Sequence, residues 1–425
     1  MLLSIAERQM HWVRCLLTFA WLLIIASLLY DPWNPALIHL NHTSTPQEFA
    51  VSCIHVQGKC LPEQAYPLGT TVMWGVIVPA SIFILLVFGH ELWRRICPLS
   101  FLSQIPRALG WQRHYQHQQS RLKKVSYRLA KVNPKSWLGR NYAYLQFGWL
   151  FLGLCGRILF FDADRLVLAS WLLFTIVFAI TVGYFYSGKT WCNYFCPMAP
   201  VEKIYSQPSG LFSSKGDSSD QLITQSMCRI VLPEGKEQSD CVGCQNACID
   251  IDGERAYWQD LKKPAESFVR YGYSGLVVGY FIYYYLYAGN WEYYFSGAWA
   301  RQTNQLATLW SPGLYLFERQ INLPKLITVP IILGACTAIA YILGRWAETQ
   351  AKAYSRRRNL YLSPHIIRHR IFTIYTFGIF NFFFIFAGRP LILLLPSWIQ
   401  WIYNLLLALV STLWLYKNLP RSPHL

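Results

Sequence analysis

Hydrophobic positions along the chain gather into runs of roughly 20 residues, the length an α-helix needs to cross a bilayer. Eight such runs occupy about 11–30, 71–90, 142–161, 166–187, 268–288, 325–343, 371–388 and 394–415. No A-x-A-like cleavage site follows the first run and further runs do, so it reads as a retained anchor rather than a signal peptide. The pattern predicts an all-α, polytopic membrane protein with about eight transmembrane helices. The polar intervals divide it into helices 1 and 2 with an outside loop (1–91), a loop (92–141), helices 3 and 4 (142–188), a Cys-rich insert (189–266) and helices 5–8 (267–425).

Composition supports this: 14% of residues are charged, against about a quarter in a soluble protein. The net charge of +17 raises nucleic acid as a partner, but the distribution of charge points elsewhere. Segment 92–141 holds eleven Lys and Arg and no Asp or Glu, and segment 344–370 sets seven basic residues against Glu348 alone. The alternate loops, 31–69 and 289–324, carry only Lys59, Arg301 and Arg319. Positive loops stay cytoplasmic, which predicts both termini and the loops 92–141, 189–266 and 344–370 inside. Topology and contact with anionic lipid absorb the basic excess. The membrane is either an inner (plasma) membrane or a thylakoid, since both place positive loops on the same side.

That topology sorts the twelve cysteines. Cys53 and Cys60 fall in the first outside loop, where disulfides are permitted; they read as a bridged pair rather than two free thiols. Cys15, Cys155 and Cys336 lie in apolar runs and read as small packing residues. The other seven, Cys97, Cys192, Cys196, Cys228, Cys241, Cys244 and Cys248, are all predicted on the reducing side. Clustered thiols there point to metal binding or catalysis rather than bridges.

The densest group is "SDCVGCQNACIDID" (239–252), with Cys241-x2-Cys244-x3-Cys248. Two thiolates two residues apart converge on one centre from a single turn, and ferredoxins use such runs with a distant Cys followed by Pro. The last gap here is one residue longer than in the bacterial ferredoxin run. A fourth ligand must come from elsewhere: Cys196, which precedes Pro197, or Cys228. Cys97-Pro98 ends the second run as Cys196-Pro197 ends the fourth, with Trp93 standing where Cys192 would be. Zinc is the competing metal, although the second C-x2-C pair that would favour it is absent.

At "TWCNYFCPMAPVEKIY" (190–205) and "CVGCQNACIDIDGERAYW" (241–258) the chain resembles the membrane polyferredoxins typified by NapH, NosR and CcoG. Within that group it looks most like the cyanobacterial membrane iron–sulfur proteins of the FesM type. The resemblance covers about 70–265 and implies electron transfer through one or two [4Fe-4S] clusters on the cytoplasmic face. It implies Cys192, Cys196, Cys241, Cys244 and Cys248 as ligands, with Cys228 and Cys97 added by position. Seven thiols fall one short of the eight that two all-Cys clusters need. The expected partners are membrane lipid, a ferredoxin-like donor, and a quinone or a membrane redox complex. A redox-sensing or assembly factor with a structural iron–sulfur or zinc centre is the alternative.

Other residues carry two readings each. His90 and Glu91 are proton carriers or quinone contacts, or else a solvated helix end. His365 and His369 share an i,i+4 face, but Arg368 and Arg370 would repel a cation, which favours a lipid-facing surface. Arg157 lies within the third run, where charge is costly and often functional, yet Asp162 and Asp164 offer local pairing. The tyrosines of 271–295 line a quinone or lipid groove, or form an aromatic interface belt. No His lies mid-run to ligate haem, and no Walker or Rossmann fingerprint occurs.

Overall fold

The structure is a computed structural model that describes residues 7–30, 53–62, 68–119, 124–213, 228–231, 237–239, 241–245, 248–300, 305–359 and 362–420. Among the described residues, ten α-helices of eight residues or more organise it: α1 (Glu7–Leu29), α2 (Val78–Ile96), α3 (Trp137–Gly156), α4 (Arg165–Phe185), α5 (Ala199–Ser206), α6 (Gly253–Asp260), α7 (Pro264–Ala288), α8 (Lys325–Arg357), α9 (Pro364–Phe386) and α10 (Ser397–Asn418). Antiparallel hairpins punctuate them: β1 (Cys53–Val56) with β2 (Lys59–Pro62), β3 (His114–Gln119) with β4 (Lys124–Leu129), β5 (Arg229–Val231) with β6 (Glu237–Ser239), and β7 (Pro312–Leu316) with β8 (Arg319–Pro324).

Among the described residues, seven helical stretches are long and apolar enough to cross a membrane: Gln9–Leu29, Gly69–Leu102, Trp137–Phe161, Arg165–Phe185, Lys325–Arg357, Pro364–Phe386 and Ser397–Asn418. The expected count of eight is therefore seven by length and apolarity. The run at 268–288 does form a helix, the 25-residue α7, but seven of its residues are tyrosines whose hydroxyls hold its hydropathy down. The chain falls into two compact units: Met1–Leu22 with Ile84–Leu150 and Leu172–Glu266, and Leu23–Phe83 with Phe151–Trp171 and Ser267–Leu425. Residues 189–266, the expected insert, fall in the first unit together with 84–150.

In the first unit, α2 does not run smoothly. Gly89 adopts φ 71° and ψ −171°, a conformation essentially reserved for glycine. The break leaves carbonyls without helical partners, and the segment after α5 supplies them: Leu211 N–H donates to Leu86 O (2.9 Å) and Phe212 N–H to Val87 O (2.7 Å). Gly210 lies directly against Gly89, so neither can carry a side chain there. The short helix α6 starts where the Asp252 carboxylate accepts the Arg255 N–H at 2.9 Å, the usual N-cap arrangement.

The second unit is organised around α7. Its Tyr271, Tyr273, Tyr280, Tyr283, Tyr284 and Tyr287 are all buried, so these rings are core, not only an interface belt. α7 runs antiparallel to α8 with small residues at the contact: Gly275 and Gly279 meet Cys336, and Gly344 meets Tyr271. Such small-residue seams are how helices approach closely in lipid. α9 packs on α10, where Ser411 Oγ donates to Asn381 Oδ1 at 3.2 Å. His369 is fully buried and its Nε2 lies 2.9 Å from Asn418 O, which overturns the lipid-facing reading for that residue. On α10 one face buries Leu407, Val410, Ser411 and Trp414, while Trp401, Leu405, Leu409 and Leu413 stay exposed. A helix apolar on its outer face suits a lipid surround. Cys155 is buried and Cys336 packs on glycines, as expected of packing cysteines. In the β1–β2 hairpin Cys60 is disulfide-bonded and pairs in register with His55; the side chain of Cys53, its expected partner, lies outside the described residues.

Candidate functional site

The two Cys-Pro sequences fold alike. Pro disfavours helical backbone in the residue before it, and Cys97 (φ −62°, ψ 118°) and Cys196 (φ −61°, ψ 125°) are extended almost identically. The turns leading into them differ by one residue. Cys97 N–H donates to Trp93 O at 2.9 Å, an α-helical bond, whereas Cys196 N–H donates to Trp191 O at 2.9 Å, closing a π-helical turn over Trp191–Phe195. Cys192 lies within that turn. Cys97, Cys192 and Cys196 lie near one another.

The Cys192–Cys196 stretch also meets the loop of Cys241, Cys244 and Cys248. Asn193 Nδ2 donates to Cys244 Sγ at 3.4 Å, and Tyr194 Oη to Cys244 O at 3.3 Å. Gly188, at φ 66°, underlies the contact: a Cβ there would stand 2.7 Å from Val242 Cγ2 and 3.1 Å from Cys244 Cβ. Within the loop, Gly243 N–H donates to Cys241 Sγ at 3.4 Å, and Cys248 Sγ lies 3.7 Å from Asp250 Oδ2. Cys192, Cys228 and Cys248 are buried, Cys97, Cys196 and Cys244 partly so, and Cys241 is exposed.

A buried guanidinium ties these pieces together. Arg94, one helical turn before Cys97, donates from Nε to Glu202 Oε1 (2.6 Å) and from Nη1 to Asn193 Oδ1 (3.0 Å) and Asp250 Oδ2 (2.6 Å). Lys189 Nζ stands 3.7 Å from the other Asp250 oxygen. Behind them, Lys203 pairs with Asp260 (2.9 Å) and Glu266 (2.8 Å), linking α5 to the end of α6 and the start of α7. His90, the first residue after the break in α2, is buried rather than a solvated end; both its ring nitrogens lack hydrogen-bond partners among the described residues, and its ring packs on Gly253. Glu91 is buried as well.

Electrostatics follow from this packing. Burial pushes the Asp250 carboxyl up, but Arg94, Lys189 and His90 overcome it and hold it well below the usual carboxylate range. Burial raises the Cys244, Cys248 and Cys192 thiols, Arg94 and Lys189 opposing it at Cys192. The Tyr194 phenol is pushed up to about 12 by burial and then by the Cys244 charge. Burial also works to strip Lys189 of its proton; Asp250 and the Cys228 and Cys192 sulfurs prevail, so the ammonium is retained. Without a metal these thiols stay protonated, and the two fixed cations stand ready to balance thiolate charge when ligation drives the protons off.

The expected ligand stretches thus lie side by side, in a donor chemistry that suits an iron–sulfur or zinc centre. Among the described residues, no three His, Cys, Asp or Glu side chains are arranged to hold a metal ion. The chain fits such a centre in residue type and neighbourhood, not in ligand geometry. Sequence reasoning passed over Arg94, Lys189 and Asn193. The available signal was the position of each, a polar residue within a few places of a Cys-Pro pair at the end of an apolar run. No family model, no curated protein and no solved structure matches this chain.

Proposed function

We propose that this chain is a membrane electron-transfer protein whose first unit holds one [4Fe-4S] centre, or two, with the four thiolates that each needs drawn from Cys192, Cys196, Cys241, Cys244, Cys248, Cys228 and Cys97. The observation that carries the reading is the hydrogen bond from Asn193, between the two cysteines of the Cys-Pro stretch, to the Cys244 sulfur. It supports convergence of two thiol groups 48 residues apart by number (Cys196 to Cys244) at one place. Such a centre, when bound, supplies one-electron transfer. The protein's part is to position it: Asn193 orients Cys244, Arg94 fixes both stretches against Asp250 and Glu202, and Lys189 keeps a positive charge beside the sulfurs. Hydrogen bonds to sulfur and nearby charge are what tune such potentials.

The proposed arrangement counts α7 as an eighth crossing. It is 25 residues long, about 37 Å at helical rise, and protein surrounds all its tyrosines but Tyr285. With eight crossings and the basic loops inside, the first unit's cysteines face the cytoplasm, where a ferredoxin-like donor would meet them. Iron and acid-labile sulfide in anaerobically purified protein test the reading. About four irons per chain, lost in Cys241→Ser, Cys244→Ser and Cys248→Ser, is the expected result; a colourless zinc-loaded protein, or full EPR signals in all three variants, refutes it. A centre that resists dithionite would favour the sensing or assembly role.

A further inference from the structure

From Lys325 to Leu425 the chain carries eleven Lys and Arg and a single acidic residue, Glu348. That carboxylate is buried on α8, and side chains from three helices converge on it. Arg368 of α9 donates to Oε1 from Nη2 at 2.8 Å and from Nε at 3.0 Å, and Lys352 donates to the same oxygen. Tyr271 of α7 and Arg345 Nη1 each donate to Oε2 at 3.4 Å.

One carboxylate thus faces three cations, which leaves a charge of +2 where α7, α8 and α9 meet. A carboxylate has about four lone-pair sites, and these five donors saturate it. Among the described residues Arg345 uses one of its five side-chain donors and Lys352 one of its three. Their side chains stay 47% and 27% exposed, while Arg368 and Glu348 are largely enclosed. The unbalanced charge and the unused donors therefore lie together at the surface, on Arg345 and Lys352.

The surface leading up to this pair is apolar. Ile327, Ile331, Ala338 and Ile342 are exposed and recur at helical spacing on the face of α8 that ends at Arg345. From Ile327 to Arg345 the helix rises about 27 Å, close to the thickness of the hydrocarbon core of a bilayer. A face of that length brings Arg345 and Lys352 to the level where lipid phosphates begin. Trp346 beside them is 62% exposed, as suits an aromatic side chain at the membrane–water interface.

We propose that Arg345 and Lys352 form a binding site for the phosphate of an anionic phospholipid whose acyl chains lie along Ile342 and Ala338. Glu348 is the positioning residue: it holds each cation by one contact and leaves the remaining donors to the phosphate, which accepts in a charge-assisted geometry. A zwitterionic head group brings an ammonium of its own into a site that is already cationic, so the site selects net negative lipid. Free phosphate lacks the chains that the apolar face takes up. The site goes beyond the general attraction of basic loops to anionic lipid because it singles out two side chains among eleven, and it stands apart from the electron-transfer reading.

Full-length protein in detergent, stripped of lipid and titrated with phosphatidylglycerol, tests it by native mass spectrometry. One tightly held lipid per chain is expected, and none with phosphatidylcholine at the same concentration. Arg345→Gln and Lys352→Gln should each weaken that binding about fivefold, and Arg345→Lys, which restores the charge, should recover most of it. Arg357→Gln removes a charge from another face of α8 and should leave binding unchanged. Equal losses in all three Gln variants, or no loss in any, would mean diffuse attraction and overturn the proposal. Equal binding of phosphatidylcholine overturns it too, by making the contact an unselective one. So does displacement of the lipid by millimolar inorganic phosphate, which would make this an anion site that takes no acyl chain.

Discussion

Arg94 shows how much one side chain holds at the residue scale. It is buried and meets two carboxylates and an amide drawn from three separate stretches of chain. Arg94→Met would leave Asp250 and Glu202 in the interior without that cation, a change that costs about 3–5 kcal/mol. Thermal unfolding in detergent should show it, with Arg94→Lys intermediate because an ammonium keeps the charge but not the fork. The pH dependence has a definite sign. The Asp250 carboxyl is held below its ordinary value against the push of burial. Its stabilisation is therefore complete above the unfolded carboxylate pKa of about 3.9 and fades as pH falls through the lower folded value. Wild type should exceed Asp250→Asn in melting temperature at neutral pH, and the gap should shrink on acidification below pH ~4; a gap that widens there contradicts this account.

At the scale of elements, the Cys-Pro turns were legible and the break in α2 was not. Pro98 and Pro197 force the residue before them out of helical backbone whatever surrounds them, so sequence alone reaches both turns. Gly89 sits in "LLVFGHELW", which an apolar count passes through smoothly. What breaks the helix is distant: Leu211 and Phe212 offer N–H groups to the carbonyls of Leu86 and Val87, three and two residues before the glycine. Replacing Gly89 with Ala places a Cβ at a φ of 71° and against Gly210. The strain should cost about 1–3 kcal/mol, or heal the helix and expel the 210–213 segment. Limited proteolysis separates these outcomes: cleavage near 207–213 should appear in Gly89→Ala and not in the wild type.

For the whole molecule, the eight apolar runs of the sequence and the seven helices apolar enough to cross among the described residues differ at α7, where aromatic residues intervene. All the tyrosines of α7 but Tyr285 are buried in protein, so these need not be lipid-soluble, and a scale built on transfer from water undervalues them. The ligand set was legible only as composition: spacing names thiols that share a compartment, but the partners that bring their stretches together, Asn193 and Arg94, are set by tertiary packing. Whether α7 crosses decides the parity of everything after it. α8 lies antiparallel to α7 from the Tyr271–Gly344 contact to the Gly279–Cys336 contact, so one helix that crosses the bilayer carries the other with it. If both cross, the end of α10 returns to the side of the basic loops. A green fluorescent protein fused after Asn418 should then fluoresce, and alkaline phosphatase fused at the same point should be inactive. Seven crossings reverse both signals. They would also place the run Arg356, Arg357 and Arg358 outside, against the charge rule that orients membrane helices, which is why the eight-crossing outcome is the expected one.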